Sequence, residues 1–258
     1  KQRVEQMQIE YELHHAVEQR QWRVQFQPVA AVENDQLVAC EIKLSWVNTA
    51  RGEMMLDEFL PAAEESGLAS VIFRWFWQHS LERVSSMNAG QRENVKLIIP
   101  VSPSLLMQEG GVDWITEVVR SHGVKPDQIY VGLPESALAI RHSQLSDVLN
   151  QLCKNGFNLI LDNFGTGFAP LKLLRDIPYS LIRLGDLFVQ SIHESRNDQA
   201  IIRGVVNLAH EMGLKVMASS VHSVTQYQFL VLSGCDWLSG DAVMAQVQSL
   251  PKQMEALG

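Results

Sequence analysis

The sequence predicts an α/β fold, a modified (β/α)8 barrel of the TIM type with an antiparallel first strand. About eight short apolar segments have strand character, helical patterns separate most of them, and no linker or low-complexity stretch interrupts them. The first two segments are joined by the turn-forming residues 33–36, which indicates a hairpin whose first strand runs antiparallel. An open doubly wound sheet is the alternative, but no glycine-rich phosphate-binding fingerprint follows the first strand.

The amino-terminal third is predicted to contain a helix, the hairpin and two further helices. Residues 2–20 are polar with apolar side chains at helical spacing, which indicates an amphipathic helix. Segments 24–29 and 37–46 are the two hairpin strands, and residues 57–66 and 70–87 have helical patterns. The hairpin therefore precedes the alternating part of the chain.

Beyond the hairpin and its helices, predicted strands and helices alternate. The strands are 95–101, 129–133, 158–162, 181–184, 215–218 and 236–238. The helices are 112–122, 142–154, 169–175, 198–212 and 224–232. One helix carries its apolar face on Leu145, Val148, Leu149 and Leu152 and ends at Asn155-Gly156. This continuous alternation predicts a single domain over residues 1–258.

Composition narrows the possible functions. The formal net charge is −8 and the isoelectric point is about 5.5, so no overall basic field favours nucleic acid, and none is expected as a partner. No apolar run approaches the roughly 20 residues of a membrane span, and no signal peptide is present. The chain starts at Lys1 rather than Met. We therefore expect a cytoplasmic domain cut from a longer protein, whose other parts could be membrane-anchored.

The three cysteines give no sign of a disulfide or a zinc site. Cys40, Cys153 and Cys235 are far apart, odd in number and without zinc-ligand spacing. We expect reduced thiols in the core of a cytosolic domain.

The stretch DNFGTGF, residues 162–168, suggests where a site would lie, because it follows a buried strand. In a barrel of this kind, reactive groups lie at the carboxyl ends of the strands. Only Glu41, Glu135, Asp162 and Asp186 supply carboxylates at or near such ends. Because a metal hydrolase needs several carboxylates that converge on a cation, these few residues make a thin metal site, and no metal or other cofactor is expected.

Several segments resemble, in order and spacing, the landmarks of EAL domains. They are QFQPV, ACEIKLSW, DEFLPAAEESGL, LPES, DNFGTGFAPLKLLRDIP, LFVQSI, LAHEMGLKVMA and SGCDWLSGD, from about residue 8 to residue 246. The resemblance implies a modified TIM barrel whose first strand is antiparallel. It also implies cyclic di-GMP phosphodiesterase chemistry, in which two divalent cations and an activated water cleave one phosphodiester bond.

The resemblance assigns roles to single positions, and most catalytic ones have changed in this chain. The positions that retain the family residue are Gln27, Glu41, Glu135 and Asp162. The phosphate-contacting arginine falls on Ser45 and the catalytic lysine on Arg183. The remaining substituted positions are Pro100, Gly132, Asn163, Gly185, Ser219, His222 and Ser239. Since loss of one catalytic group commonly costs on the order of 10²–10⁴-fold in rate, the sequence predicts no hydrolysis.

Two functions remain open for an inactive domain. The favoured interpretation is a regulatory module in bacterial signalling that binds a protein partner, in control of motility, biofilm, adhesin or RNA decay, with cyclic di-GMP an unlikely ligand. The alternative is a receptor that binds cyclic di-GMP without cutting it, against which the loss at Ser45 of a phosphate contact worth about 1.5–3 kcal/mol counts. Glu41 and Asp162 are expected to be satisfied by neighbours such as Arg183 and Lys43.

Two segments are candidate partner surfaces. The resemblance implies that the loop Phe164-Gly165-Thr166-Gly167, supported by Glu135, couples the site to dimerisation, so a homodimer through residues 162–176 is expected. The alternative is that this loop only closes the barrel. The aromatic segment 73–84 is predicted to be mostly core, but Trp75 or Phe76 would form a partner patch if exposed.

Overall fold

A computed structural model describes residues 2–86, 96–165 and 172–246 of the chain. It confirms the predicted α/β barrel, because eight strands close into a mixed barrel with helices around it. The first strand runs antiparallel to both of its neighbours. The open doubly wound sheet is therefore wrong, since the first and last strands of the ring pair with each other.

The strands and helices follow the predicted order closely. The strands are β1 (Trp22–Ala31), β2 (Leu37–Asn48), β3 (Gly52–Met55), β4 (Lys96–Pro100), β5 (Ile129–Pro134), β6 (Asn158–Phe164), β7 (Leu181–Leu184), β8 (Lys215–Ala218) and β9 (Trp237–Leu238). The helices are α1 (Gln2–Gln19), α2 (Leu56–Glu65), α3 (Ala69–Ser85), α4 (Pro103–Met107), α5 (Gly111–Ser121), α6 (Glu135–Lys154), α7 (Lys172–Asp176), α8 (Asp186–Gln190), α9 (Arg196–Glu211), α10 (Val224–Leu232) and α11 (Asp241–Met244).

The strand pairing places the ends of seven strands at one rim. Strands β2, β4, β5, β6, β7, β8 and β9 pair in parallel in that order. Strand β1 closes the ring antiparallel to β2 and β9, so it begins at the rim where the others end. In the hairpin register, Arg23 lies opposite Ser45 and Gln27 lies opposite Glu41.

Side chains along the two hairpin strands point alternately outward and inward, so they lie in two layers. Val24 and Phe26 of β1, like Ile42, Leu44 and Trp46 of β2, belong to the outer core beneath the helices. The residues between them therefore face the inside of the barrel. At the opposite end from the rim, the interior is filled by Val29, Ala39, Ile98, Ile160, Leu181, Met217 and Trp237. The interior beneath the rim is thus apolar, and Lys96 and Lys215 lie at its far end, each with Nζ 5.5 Å from the centroid of the Trp237 ring.

The structure contains short elements that the sequence did not predict, and one helix begins earlier than predicted. Strand β3 was not predicted, because its four residues pair only with the end of β2. Helices α4 and α8 have five residues each, which is too short for a periodic signal. Helix α6 begins at Glu135 rather than residue 142, since its apolar periodicity becomes regular only from Leu145.

The aromatic residues of α3 are mainly core. Phe73, Phe76 and Trp77 are fully buried, and half-buried Trp75 stacks on His79 with ring centroids 4.9 Å apart. Phe76 therefore offers no partner surface. Across the described ranges, no helix combines the length and apolar character that a membrane crossing needs.

The cysteines have the environment expected of reduced core thiols. Cys40 and Cys235 are buried and Cys153 is half-buried, and all three are free. Burial raises the pKa of Cys40, and it raises the pKa of Cys235 to about 12. Both thiols therefore stay protonated and unreactive near neutral pH.

Candidate functional site

A cleft of about 160 Å³ opens at the rim where the parallel strands end. This is the position at which barrels of this kind carry their sites. The strands β2, β4, β6, β7 and β8 and the start of α2 contribute its walls. The polar and charged lining residues are Glu41, Lys43, Asp57, Asp162, Asn163, Arg183, Asp186, Ser219 and Ser220.

Arg183 of β7 lies at the centre of the cleft and binds two carboxylates. Its Nε and Nη2 donate to the two oxygens of Asp162, and its Nη1 donates to Oε1 of Glu41. The side chains are 13% exposed for Arg183 and only 4% and 7% exposed for Glu41 and Asp162. Burial alone would lower the pKa of Arg183, but the charges of Asp162 and Glu41 outweigh it and raise that pKa above its ordinary value. The guanidinium is therefore a permanent positive charge.

The second oxygen of Glu41 is also engaged by the protein. Lys43 Nζ lies 3.7 Å from Oε2, and Ser239 Oγ donates to the same oxygen at 3.5 Å. The backbone N–H of Asn163 donates to Asp162 at 2.8 Å. The two retained carboxylates are thus satisfied by neighbours, as the sequence predicts.

Two further carboxylates, those of Asp57 and Asp186, line the cleft. Burial, and then the negative charge of Asp162, raise the pKa of Asp57 above its ordinary value of 3.8, while Arg183 and a hydrogen bond from Asn163 oppose that rise. Asp186 accepts a hydrogen bond from Ser220 Oγ at 3.0 Å. These carboxylates oppose the entry of an anionic ligand, and the opposition weakens once Asp57 is protonated.

Two of the substituted positions, Pro100 and Gly132, offer no side-chain oxygen to a cation. Pro100 has no side-chain donor, and its carbonyl accepts from Trp77 Nε1 at 3.0 Å. A Cβ atom at Gly132 would lie 3.3 Å from Asp162 Oδ2, so the carboxylate fills the space beside that glycine. Among the described residues, no group of three or more His, Cys, Asp or Glu side chains could hold a metal ion. The residues present therefore do not fit a two-cation centre.

Ser219 is the substituted position with the clearest capacity to meet a ligand. Its side chain is 2% exposed and lines the cleft. Its Oγ has no hydrogen-bond partner within the part of the chain that the structure describes. A buried hydroxyl without a partner is costly, so it favours a ligand or solvent that bonds to it.

Glu135 holds the end of β6, beyond which the predicted switch loop begins. Its Oε2 accepts from the Gly165 N–H at 2.7 Å, and Gly165 has a left-handed φ of 88°. A Cβ at Gly165 would lie 2.6 Å from the ring of Phe188, so only glycine fits. Thr166 and Gly167 lie outside the described residues, as does much of the segment 162–176 that was expected to form a homodimer.

Three other predicted positions lie at the edge of the site or away from it. His222 is 61% exposed, and its Nδ1 lies 3.4 Å from Asp241, outside the cleft lining. Gln27 lies opposite Glu41 inside the barrel. Gly185 donates its N–H to the Phe164 carbonyl at 3.1 Å before α8 begins. The roles that the resemblance assigns to these residues stay predictions.

Sequence reasoning placed Ser220 at a strand end but missed Asp57 and the contact of Ser45 with Glu53. Asp57 begins the segment DEFLPAAEESGL, but nothing in that pattern shows that its side chain turns into the cleft. Ser220 adopts a left-handed φ of 57°, which only the structure shows. Ser45 Oγ donates to Glu53 at 2.6 Å, a contact that depends on the unpredicted strand β3.

Comparison with known proteins gives one consistent family. A family model described as EAL domain matches residues 10–246. MucR of Pseudomonas aeruginosa, a bifunctional diguanylate cyclase/cyclic di-GMP phosphodiesterase, is 28% identical over 237 residues, which are 92% of this chain and 34% of MucR. NbdA, a cyclic di-GMP phosphodiesterase of the same organism, is 25% identical over 92% of this chain and 30% of its own. The chain thus spans about a third of these curated relatives.

Solved structures agree with this assignment. The PaMucR phosphodiesterase in complex with c-di-GMP superposes with a TM-score of 0.83 at 26% identity, covering 92% of this chain and 96% of that one. The FimX EAL domain from Pseudomonas aeruginosa, bound to c-di-GMP, has a TM-score of 0.78 at 23% identity over 95% and 97% of the two chains. At that identity, the FimX likeness supports the fold alone.

These findings correct two expectations drawn from the sequence. The preference for a protein-interaction module is wrong, and so is the view that cyclic di-GMP is an unlikely ligand. Relatives over most of this chain are named for cyclic di-GMP, and the similar PaMucR structure contains it. The physical error was to judge binding from the substitutions at Ser45, Pro100 and Asn163, although the rim cleft persists and keeps cationic side chains.

Proposed function

This chain belongs to the EAL domain family, and on that premise we propose that it is a receptor that binds cyclic di-GMP in the rim cleft without hydrolysing it. The observation that carries the proposal is the position of Arg183. Its guanidinium contacts Glu41 and Asp162, two of the carboxylates that the chain retains at family positions. A fixed cation of the protein thus occupies the carboxylates that would otherwise be free to hold an exchangeable cation.

The absence of hydrolysis rests on the groups that surround this guanidinium. A hard divalent cation takes six or more oxygen ligands, whereas Pro100 and Gly132 provide no side-chain oxygen and Ser219 provides a hydroxyl instead of a carboxylate. Arg183 cannot serve as a proton shuttle, because the pKa of its guanidinium is raised above an already high value. Among the rim residues that the structure describes, none is therefore expected to combine with a metal to activate water.

Binding is supported by the location and chemistry of the cleft. Arg183 and Lys43 bring positive charge to it, and their side chains are only 13% and 26% exposed. In such partly buried surroundings a charge interacts with a phosphate more strongly than in bulk water. Asn163, Ser219 and Ser220 add hydrogen-bonding groups along the wall. Together these side chains support a phosphodiester-binding site that needs no metal.

Calorimetric titration of cyclic di-GMP tests the proposal, with the same samples analysed for the linear dinucleotide pGpG by chromatography. We expect saturable binding that is unchanged by EDTA or by added Mg²⁺ or Ca²⁺, and no pGpG. Absence of heat at about 100 µM ligand would exclude a receptor of useful affinity. Metal-dependent accumulation of pGpG would show an enzyme instead.

A pair of lysine variants places the binding in this cleft. Lys43→Ala removes a cation from the cleft wall and is expected to weaken binding about tenfold. Lys154→Ala is the matched control, since Lys154 is exposed at the end of α6 on the outside of the barrel. Equal affinities for the two variants would place the ligand elsewhere.

A further inference from the structure

The start of β1 and the end of β2 bring a hydroxyl and a guanidinium together beside the cleft. Arg23 lies directly opposite Ser45 in the hairpin register. Val24 belongs to the outer core, as do Leu44 and Trp46, so Arg23 and Ser45 point to the inner side. Lys43 lies on the same side of β2, two residues or about 7 Å from Ser45 along the strand. Two cations therefore border the serine.

These two groups already hold an oxyanion, the carboxylate of Glu53 on β3. Ser45 Oγ donates to Glu53 Oε1 at 2.6 Å, and Arg23 Nη1 donates to Glu53 Oε2 at 2.7 Å. Each oxygen of the carboxylate thus has its own donor, as in a site for phosphate. The Arg23 and Glu53 side chains are 51% and 33% exposed, whereas Ser45 is buried at 1% exposure, so a ligand reaches the serine only once Glu53 moves away.

We propose that Arg23 and Ser45 form a phosphate-binding subsite for cyclic di-GMP and that the Glu53 carboxylate occupies this subsite in the absence of ligand. The inference rests on the proposed receptor function. In it, Arg23 supplies from β1 the guanidinium that the family resemblance places at position 45 on β2. Because opposed residues on antiparallel strands lie about 5 Å apart, the charge reaches the same region of the rim.

Glu53 is a competitor that the ligand has to displace. It lies on a four-residue strand that pairs with β2, and its ion pair with Arg23 is exposed to solvent. Exposed ion pairs are weak, so a phosphate that gains further contacts in the cleft displaces the carboxylate readily. Glu53 therefore lowers the affinity of the receptor without closing the site.

Affinity measurements on charge-matched variants test the subsite. Arg23→Ala is expected to weaken binding of cyclic di-GMP about tenfold, whereas Arg120→Ala on the outer helix α5 leaves it unchanged. Glu53→Ala is expected to strengthen binding about threefold or more, because it removes the competitor. Glu33→Ala removes the same charge from the hairpin turn at the opposite end of the barrel and leaves the affinity unchanged.

Moving the arginine from β1 to β2 distinguishes the loss of a ligand contact from damage to the fold. Arg23→Ser should bind weakly, and adding Ser45→Arg should restore affinity by supplying the guanidinium from β2. Thermal unfolding of each variant checks that the barrel is intact. Wild-type binding with no effect of Arg23→Ala or Glu53→Ala would refute the subsite and leave the receptor function standing. Absence of binding in the wild type and in every variant would reject both.

Discussion

Replacing Arg183 by alanine is expected to destabilise the barrel strongly. The change leaves Glu41 and Asp162, which are 4% and 7% exposed, as buried carboxylates without their shared cation. Removing one partner of a buried ion pair typically costs about 3–5 kcal/mol, because an uncompensated charge remains. The contribution of Arg183 to the free energy of unfolding is fully present below the ordinary pKa of arginine and is lost only above its raised pKa. This contribution is therefore constant across the physiological pH range.

Urea unfolding followed by circular dichroism at neutral pH measures this loss. Arg175→Ala is the control, because its ion pair with Asp176 involves a side chain that is 73% exposed and is expected to cost less than about 1 kcal/mol. Adding Glu41→Gln and Asp162→Asn to Arg183→Ala should recover most of the stability, since no buried charge then lacks a partner.

A divalent cation provides an independent check on the same variant. In Arg183→Ala the two carboxylates are available to a cation, so millimolar Ca²⁺ should stabilise this variant and leave the wild type unchanged. A loss below about 1 kcal/mol for Arg183→Ala, or no recovery in the triple variant, would refute the view that Arg183 compensates this pair.

Two further predictions concern the mouth of the cleft and the strand end behind it. Because the pKa of Asp57 is raised, acidification should neutralise it earlier than an ordinary aspartate and so strengthen binding of the anionic dinucleotide. Titrations of Asp57→Asn should show a flatter pH profile, and an unchanged profile would contradict this role. Glu135→Ala should remove the hydrogen bond that the buried Glu135 carboxylate accepts from the Gly165 N–H and cost about 1–3 kcal/mol. Hydrogen exchange should then quicken at the end of β6, and Glu135→Gln, which keeps an acceptor oxygen, should lose less.

The strand and helix order was available from the sequence because it depends on local patterns. The apolar faces of α6, α9 and α10 recur at helical spacing, and the parallel strands are short apolar runs between them. Segments without a periodic signal were missed, among them β3 and the short helices α4 and α8. They form because neighbouring elements pair with them or pack against them, which no local pattern records.

The substitutions at Pro100, Gly132 and Ser219 were likewise readable residue by residue, and the loss of hydrolysis that they imply stays a prediction. What this implied for binding was judged wrongly, because the sequence places Ser45 alone at the position of the phosphate-contacting arginine. The hairpin register sets Arg23 opposite it, and β3 adds Glu53. These three side chains come from three strands, so their proximity is a property of the sheet.

The sequence by itself determined the family, the barrel and the identity of the groups at the strand ends. Only the tertiary structure decided how those groups pair. Arg183 meets Asp162 on an adjacent strand and Glu41 across the barrel, 142 positions away along the chain. Hydrophobic periodicity is a local property that reports which face of an element is buried. Charge compensation depends on distances of a few ångströms between elements, and closure of the barrel sets those distances.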